Sequence, residues 1–110
     1  MNETTNGLNW IDKEFTKKGD NDLIEAPGAG KKILILFYRK ASVGNGQNRV
    51  SFHWEGKDKK FFDGNLWYAG VDAANLVGCP RSGPENKKLL VNLSNIHAVS
   101  ITIAYKIVDA

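Results

Sequence analysis

The chain of 110 residues contains one cysteine, one methionine, two histidines and three prolines. With Cys79 alone, no intramolecular disulfide can form and no cysteine-rich zinc site can be assembled. Its expected role is that of a small residue packed beside Pro80. His53 and His97 lie far apart and away from Cys79, so no nucleophile–base pair or metal-ligand spacing is visible. Long apolar runs are also missing. The opening MNETTNGLNWIDKEFTKKGD has no signal-peptide core, and no stretch approaches the roughly 18 apolar residues of a membrane span. Synthesis in a cytoplasm, without export by a leader and without a membrane partner, is the expectation. On that expectation the sequons Asn2-Glu3-Thr4 and Asn92-Leu93-Ser94 carry little meaning.

What remains is ordinary for a globular domain: 42% hydrophobic and 25% charged residues. A chain of this length buries roughly two-thirds of its unfolded surface, enough for one core. Net charge is only +3. The basic residues are scattered in Lys31-Lys32, Arg39-Lys40, Lys57 to Lys60 and Lys87-Lys88. They are read as solvated strand ends and loops. A nucleic-acid groove requires them gathered on one face, so nucleic acid is not the expected partner.

Residues 1–20 are polar, with Trp10, Ile11 and Phe15 among their few large apolar positions. They match neither a clean helical stripe nor a strand, and are read as an N-terminal arm, extended or a short helix, that uses those three residues as anchors. The domain proper, 21–110, is a succession of strand signals. Asp22 to Ala26 ends at the turn run Pro27-Gly28-Ala29-Gly30. Lys32 to Lys40 is continuous, β-branched and aromatic, as a buried central strand is. Arg49 to Glu55 alternates, with Val50, Phe52 and Trp54 on one face. Phe61-Phe62, Leu66 to Val71 and Asn75 to Val77 are short candidates, broken at Asp63-Gly64 and Asp72-Ala73-Ala74. Cys79 to Asn86 is a loop. Lys88 to Ser94 and Val99 to Val108 alternate clearly. About eight short strands and no helical stripe predict an all-β fold, a sandwich or barrel with Greek-key or jelly-roll connections. The two long strands are expected to pair at a sheet centre.

Catalytic signatures fail on inspection. Gly28-Ala29-Gly30-Lys31-Lys32 is no phosphate loop: Glu25 stands where its first glycine belongs, Lys32 replaces the hydroxyl residue, and a strand follows. The sequence therefore predicts no catalytic residue, no metal and no cofactor, and a protein that is not an enzyme. The aromatics are the best alternative signal. Trp54, Trp67 and Tyr68, with Phe61 and Phe62, are a candidate platform for a sugar ring or nucleic-acid base, set against core and interface packing as their ordinary role. Trp54, on one face with Val50 and Phe52, is expected in the core. Trp67 and Tyr68 are neighbours, so a strand turns one of them outward as a contact surface.

In order of features, residues 21–108 resemble a class of small phage virion proteins. The resemblance rests on Leu23-Ile24-Glu25-Ala26-Pro27-Gly28-Ala29-Gly30-Lys31-Lys32 followed by Ile33-Leu34-Ile35-Leu36. It continues through Val50-Ser51-Phe52, Leu89-Leu90-Val91-Asn92-Leu93-Ser94 and the last strand, Ser100 to Val108. It implies a jelly-roll-like antiparallel β-sandwich and a structural role on the virion. The expectation is a decoration or cement subunit on the outer capsid surface, contacting the major capsid protein or other virion proteins. Such a subunit is expected to self-associate, as a trimer, with Trp10, Ile11 and Phe15 as the tether. The alternative is a carbohydrate- or receptor-binding module of a tail or head fibre, using Trp67 and Tyr68.

Overall fold

The structure, a computed structural model, describes residues 7–110. Nine strands follow in chain order: β1 (Asn9–Phe15), β2 (Gly19–Ile24), β3 (Lys31–Ser42), β4 (Asn48–Trp54), β5 (Phe61–Leu66), β6 (Val71–Asn75), β7 (Arg81–Ser82), β8 (Leu89–Leu93) and β9 (Val99–Asp109). One sheet has the order β1-β9-β3-β6, with β7 also pairing β3, and the other is β2-β8-β4-β5. Every pairing is antiparallel. Apart from the β4–β5 hairpin, successive long strands through β6 alternate between the sheets. This is a jelly-roll order, two Greek keys closed into a sandwich. The two longest strands, β3 and β9, pair along their length at the centre of the first sheet.

The core forms because each strand turns alternate apolar residues inward. Ile33, Ile35, Ile101 and Ile103 meet Val50, Phe52, Leu89, Val91 and Leu93 between the sheets, all essentially inaccessible. Burial of a side chain of this size contributes on the order of 2 kcal/mol. Trp54 closes one end of the core. Its indole lies so close to Gly83 that a Cβ there would sit 2.7 Å from the ring.

One irregularity resets the first sheet. Ile35 opposes Tyr105 and Phe37 opposes Ala104, so Leu36 is an extra residue in β3. This bulge inverts the alternation after it. Phe37 and Arg39 turn outward, while Tyr38 and Lys40 turn into the core. Lys40, read as part of a solvated pair, is thus fully buried. Its ammonium donates to the carbonyls of Val50 (3.1 Å) and Phe62, and meets Asp72 Oδ2 at 3.1 Å. Those carbonyls are available because β4 and β5 also slip register between Val50 and Phe52, with Phe62 at φ 47°. Lys40 therefore ties the two sheets together through backbone acceptors. Burial pulls its pKa down, against the opposing pull of the Asp72 hydrogen bond and charge.

Three other expectations change. Residues 9–15, placed in an arm, form β1, an edge strand paired with β9 over seven residues. A strand with one solvated edge needs only alternate inward positions, and Ile11 and Phe15 supply them. Asp63-Gly64 lies inside β5, and Asp72-Ala73-Ala74 is the middle of β6. The break falls instead at 67–70, where Gly70 N–H donates to Trp67 O at 2.6 Å and Ala69 adopts φ 59°.

Candidate functional site

The jelly roll gathers four connections at one end: residues 16–18, 43–47, 67–70 and 94–98. Backbone bonds from Ser42 to Gly70 (2.8 Å) and from Val43 to Ala98 (3.0 Å) fasten the last three together. Fully buried Asn48 adds a side-chain clamp. Its Nδ2 donates to Asn95 O (2.9 Å) and His97 O (2.8 Å), and its Oδ1 accepts from Asn95 N–H (2.9 Å). The His97 ring lies against Gly46, so a Cβ there would overlap its Nε2 unless the ring moved. Such fastening gives these loops a fixed shape.

Segments 43–47, 67–70 and 94–98 contain no lysine, arginine or carboxylate. They do contain Val43, Trp67, Tyr68 and Ile96, all exposed. Trp67 and Tyr68 retain 64% and 72% of their accessible surface. Sequence reasoning turned only one of that pair outward. Both are exposed because they sit in the turn rather than in a strand. Val43 and Ile96 join them, each an isolated apolar residue within a loop rich in Gly or Asn, which is the signal the sequence carries for them. The fourth connection, Thr16-Lys17-Lys18, gives this tip its only formal charges, both positive. The opposite end is crowded with both signs, including Glu25, Lys31, Glu55, Lys57, Asp58, Glu85, Lys87 and Asp109. Mixed charge there does not make the cationic face that a nucleic acid requires.

A second apolar surface lies on the outer face of the β1-β9-β3-β6 sheet. Here Trp10 and Phe37 flank Ala104, their ring centroids 5.9 Å apart. Leu8, Leu36 and Val77 continue a groove of about 460 Å³. The three residues assigned to the arm are thus divided. Trp10 faces outward at 61% exposure, while Ile11 and Phe15 pack against the core.

The outer face of the other sheet is polar. A groove of about 330 Å³ is lined by Arg49, Ser51, Lys60, Asp63, Asn92 and Ser94. Arg49 forks onto Asp63 at 2.7 and 3.0 Å, which holds the Asp63 carboxyl below its ordinary range. Asp20 accepts from Asn92 (2.7 Å) and meets His53 Nε2 at 2.9 Å. The Asn92 bond, and then His53, lower its pKa against a burial effect that raises it. These charged groups satisfy one another within the sheet.

Among the described residues, no three His, Cys, Asp or Glu side chains come together as a metal-holding group. Cys79, expected to be packed, is exposed in a turn where its N–H donates to Leu76 O. No helix among the described residues is long and apolar enough to cross a membrane. No protein-family model and no curated protein matches the chain.

Proposed function

We propose that this protein is a non-catalytic adhesion subunit of a virus particle, binding the outer surface of a phage capsid as a decoration or cement protein. The observation that carries the reading is the fastened tip. Four exposed apolar side chains stand on loops with no carboxylate, at one end of a rigid sandwich. Apolar residues clustered in this way mark association surfaces, and aromatic residues are enriched at the centres of interfaces. The jelly-roll order agrees with the motif resemblance, and it is an architecture shared by capsid and lectin domains. Fold alone assigns no function, so the weight rests on the tip. On this reading the protein is made in the host cytoplasm and resides on the virion surface, contacting the major capsid protein or its neighbours. Trp67 and Tyr68 form the contact in place of a flexible tether. The test is co-sedimentation with particles stripped of surface proteins, comparing the natural chain with Trp67→Ser/Tyr68→Ser.

A second reading, a carbohydrate- or receptor-binding module of a tail or head fibre, is favoured by the same exposed pair. Aromatic faces stack on sugar rings, and jelly rolls include lectins. It predicts quenching of tryptophan fluorescence by members of a glycan panel. Quenching that survives Trp67→Ser argues against a Trp67 sugar site.

A further inference from the structure

From the outer face of the β1-β9-β3-β6 sheet we infer a homodimer interface, with a two-fold axis running parallel to β9. The argument is one of self-complementarity. Strand β9, second in the sheet, presents the small outward residues Ser100, Thr102 and Ala104. On one side β1 places Trp10 beside Ala104 and Asp12 beside Thr102. On the other side β3 places Phe37 beside Ala104 and Arg39 beside Thr102. Rotation by half a turn about an axis above β9 exchanges these flanks and preserves the rows. Trp10 of one copy then lies over Phe37 of the other, and Asp12 over Arg39, each twice.

An isologous contact needs this relation, in which residue i meets j and j meets i. Ser100 and Thr102 keep the column low at one end, while the Trp10 and Phe37 rings close over Ala104 and make the first contact at the other. Sheets packed face to face with aligned strands are a standard arrangement. Asp12 is already oriented toward the column, since the hydroxyls of Thr102 and Ser100 lie 3.2 and 3.4 Å from its Oδ1. The apolar anchor is exposed and available, Trp10 at 61%. Lys106 is the exception. It lies on the axis beyond Ala104 and would face its own copy, at the end of the contact where a long side chain reaches solvent.

An axis above β9 lays β1 over β3 and leaves β6 outside the contact, so three strands about 4.8 Å apart and four outward rows about 7 Å apart span roughly 400 Å² per copy. Both copies together give about 800 Å², the size of a weak, transient contact rather than of a stable complex. A weak, reversible dimer follows, formed at high protein concentration. The axis is parallel to the strands, so both tips carrying Trp67 and Tyr68 point the same way. This last consequence rests on the adhesion reading: two tips on one side engage a repeating surface with avidity.

The experiment is sedimentation velocity on the full chain from about 5 to 500 μM, the range a weak interface requires. Asp12→Arg and Arg39→Asp are each expected to shift the midpoint of association upward at least about tenfold. The double variant Asp12→Arg/Arg39→Asp is expected to restore it, which a folding defect or unspecific stickiness would not do. Lys106→Ser is expected to strengthen association. A chain that stays monomeric throughout, a trimer, or a dimer whose charge reversals have no effect or no rescue would overturn the assignment. Particle binding by a monomeric Arg39→Asp variant would leave the adhesion reading standing without it, so the two proposals fail separately.

Discussion

Replacing Lys40 with methionine tests how the two sheets are joined. The substitution keeps an unbranched chain of similar volume and removes the ammonium. The Val50 and Phe62 carbonyls then lose their side-chain donor, the first in a buried and the second in a partly buried position. Each unsatisfied buried acceptor costs about 1–3 kcal/mol. Asp72 behaves differently: its side chain is 44% exposed, so it rehydrates and still accepts from Tyr38 Oη at 3.2 Å. The ammonium's own desolvation cost disappears, which offsets part of the loss. The expected net destabilisation is about 2 kcal/mol, a sizeable share of the 5–15 kcal/mol typical of a domain. Asp72→Asn, which removes only the exposed partner, is expected to cost about 1 kcal/mol. Urea unfolding at neutral pH measures both, with unchanged slopes indicating that the folded state is retained. If Lys40→Met costs no more than Asp72→Asn, the carbonyl clamp is not what Lys40 contributes.

Two further predictions follow from the same core. Burial, and then the charge and hydrogen bond of Asp72, push the Tyr38 phenol up to about 12 from its ordinary 10.0. Between those values the unfolded chain has released a proton that the folded chain retains, so this contribution to stability falls as pH rises from 10 to about 12. Lys40 acts in the opposite direction below 10.5, where its lowered pKa makes stability rise with pH. Denaturation midpoints measured across this range should therefore decline above pH 10 in the natural chain and decline less in Tyr38→Phe; equal declines would contradict the assignment. Gly83→Ala drives a methyl group into the Trp54 ring, and is expected to cost about 1–3 kcal/mol through overpacking. A thermal scan that finds Gly83→Ala as stable as the natural chain would show that the indole can move aside.

The fold was legible where alternation ran undisturbed. Val50, Phe52 and Trp54, Leu89, Val91 and Leu93, and Val99, Ile101 and Ile103 declare their buried faces, and all nine are buried. Lys40 was misread because Ile33 and Ile35 set a phase that the Leu36 bulge then reverses, and nothing in KILILFYRK marks the extra residue. The 67–70 turn was missed because an alanine, not a glycine, holds its left-handed position. Strand β1 was hidden by its polarity. Asp12, Lys13 and Glu14 look like a solvated segment, yet an edge strand is stabilised mainly by its ladder to β9 and by two inward side chains. The candidate tip was only half legible. Trp67 and Tyr68 drew attention as aromatics, but their meeting with Val43 and Ile96 at one end is a product of topology. Which outward residues line up across β1, β9 and β3 likewise depends on register, and no single strand carries that information.

Co-sedimentation of the purified chain with stripped phage particles, set beside Trp67→Ser/Tyr68→Ser, tests the adhesion reading most directly. The account predicts saturable binding by the natural chain and a loss of at least about tenfold in affinity in the double variant, since interface aromatics carry a large share of binding energy. Binding that is undiminished by the two substitutions, or no binding by the natural chain, would contradict it.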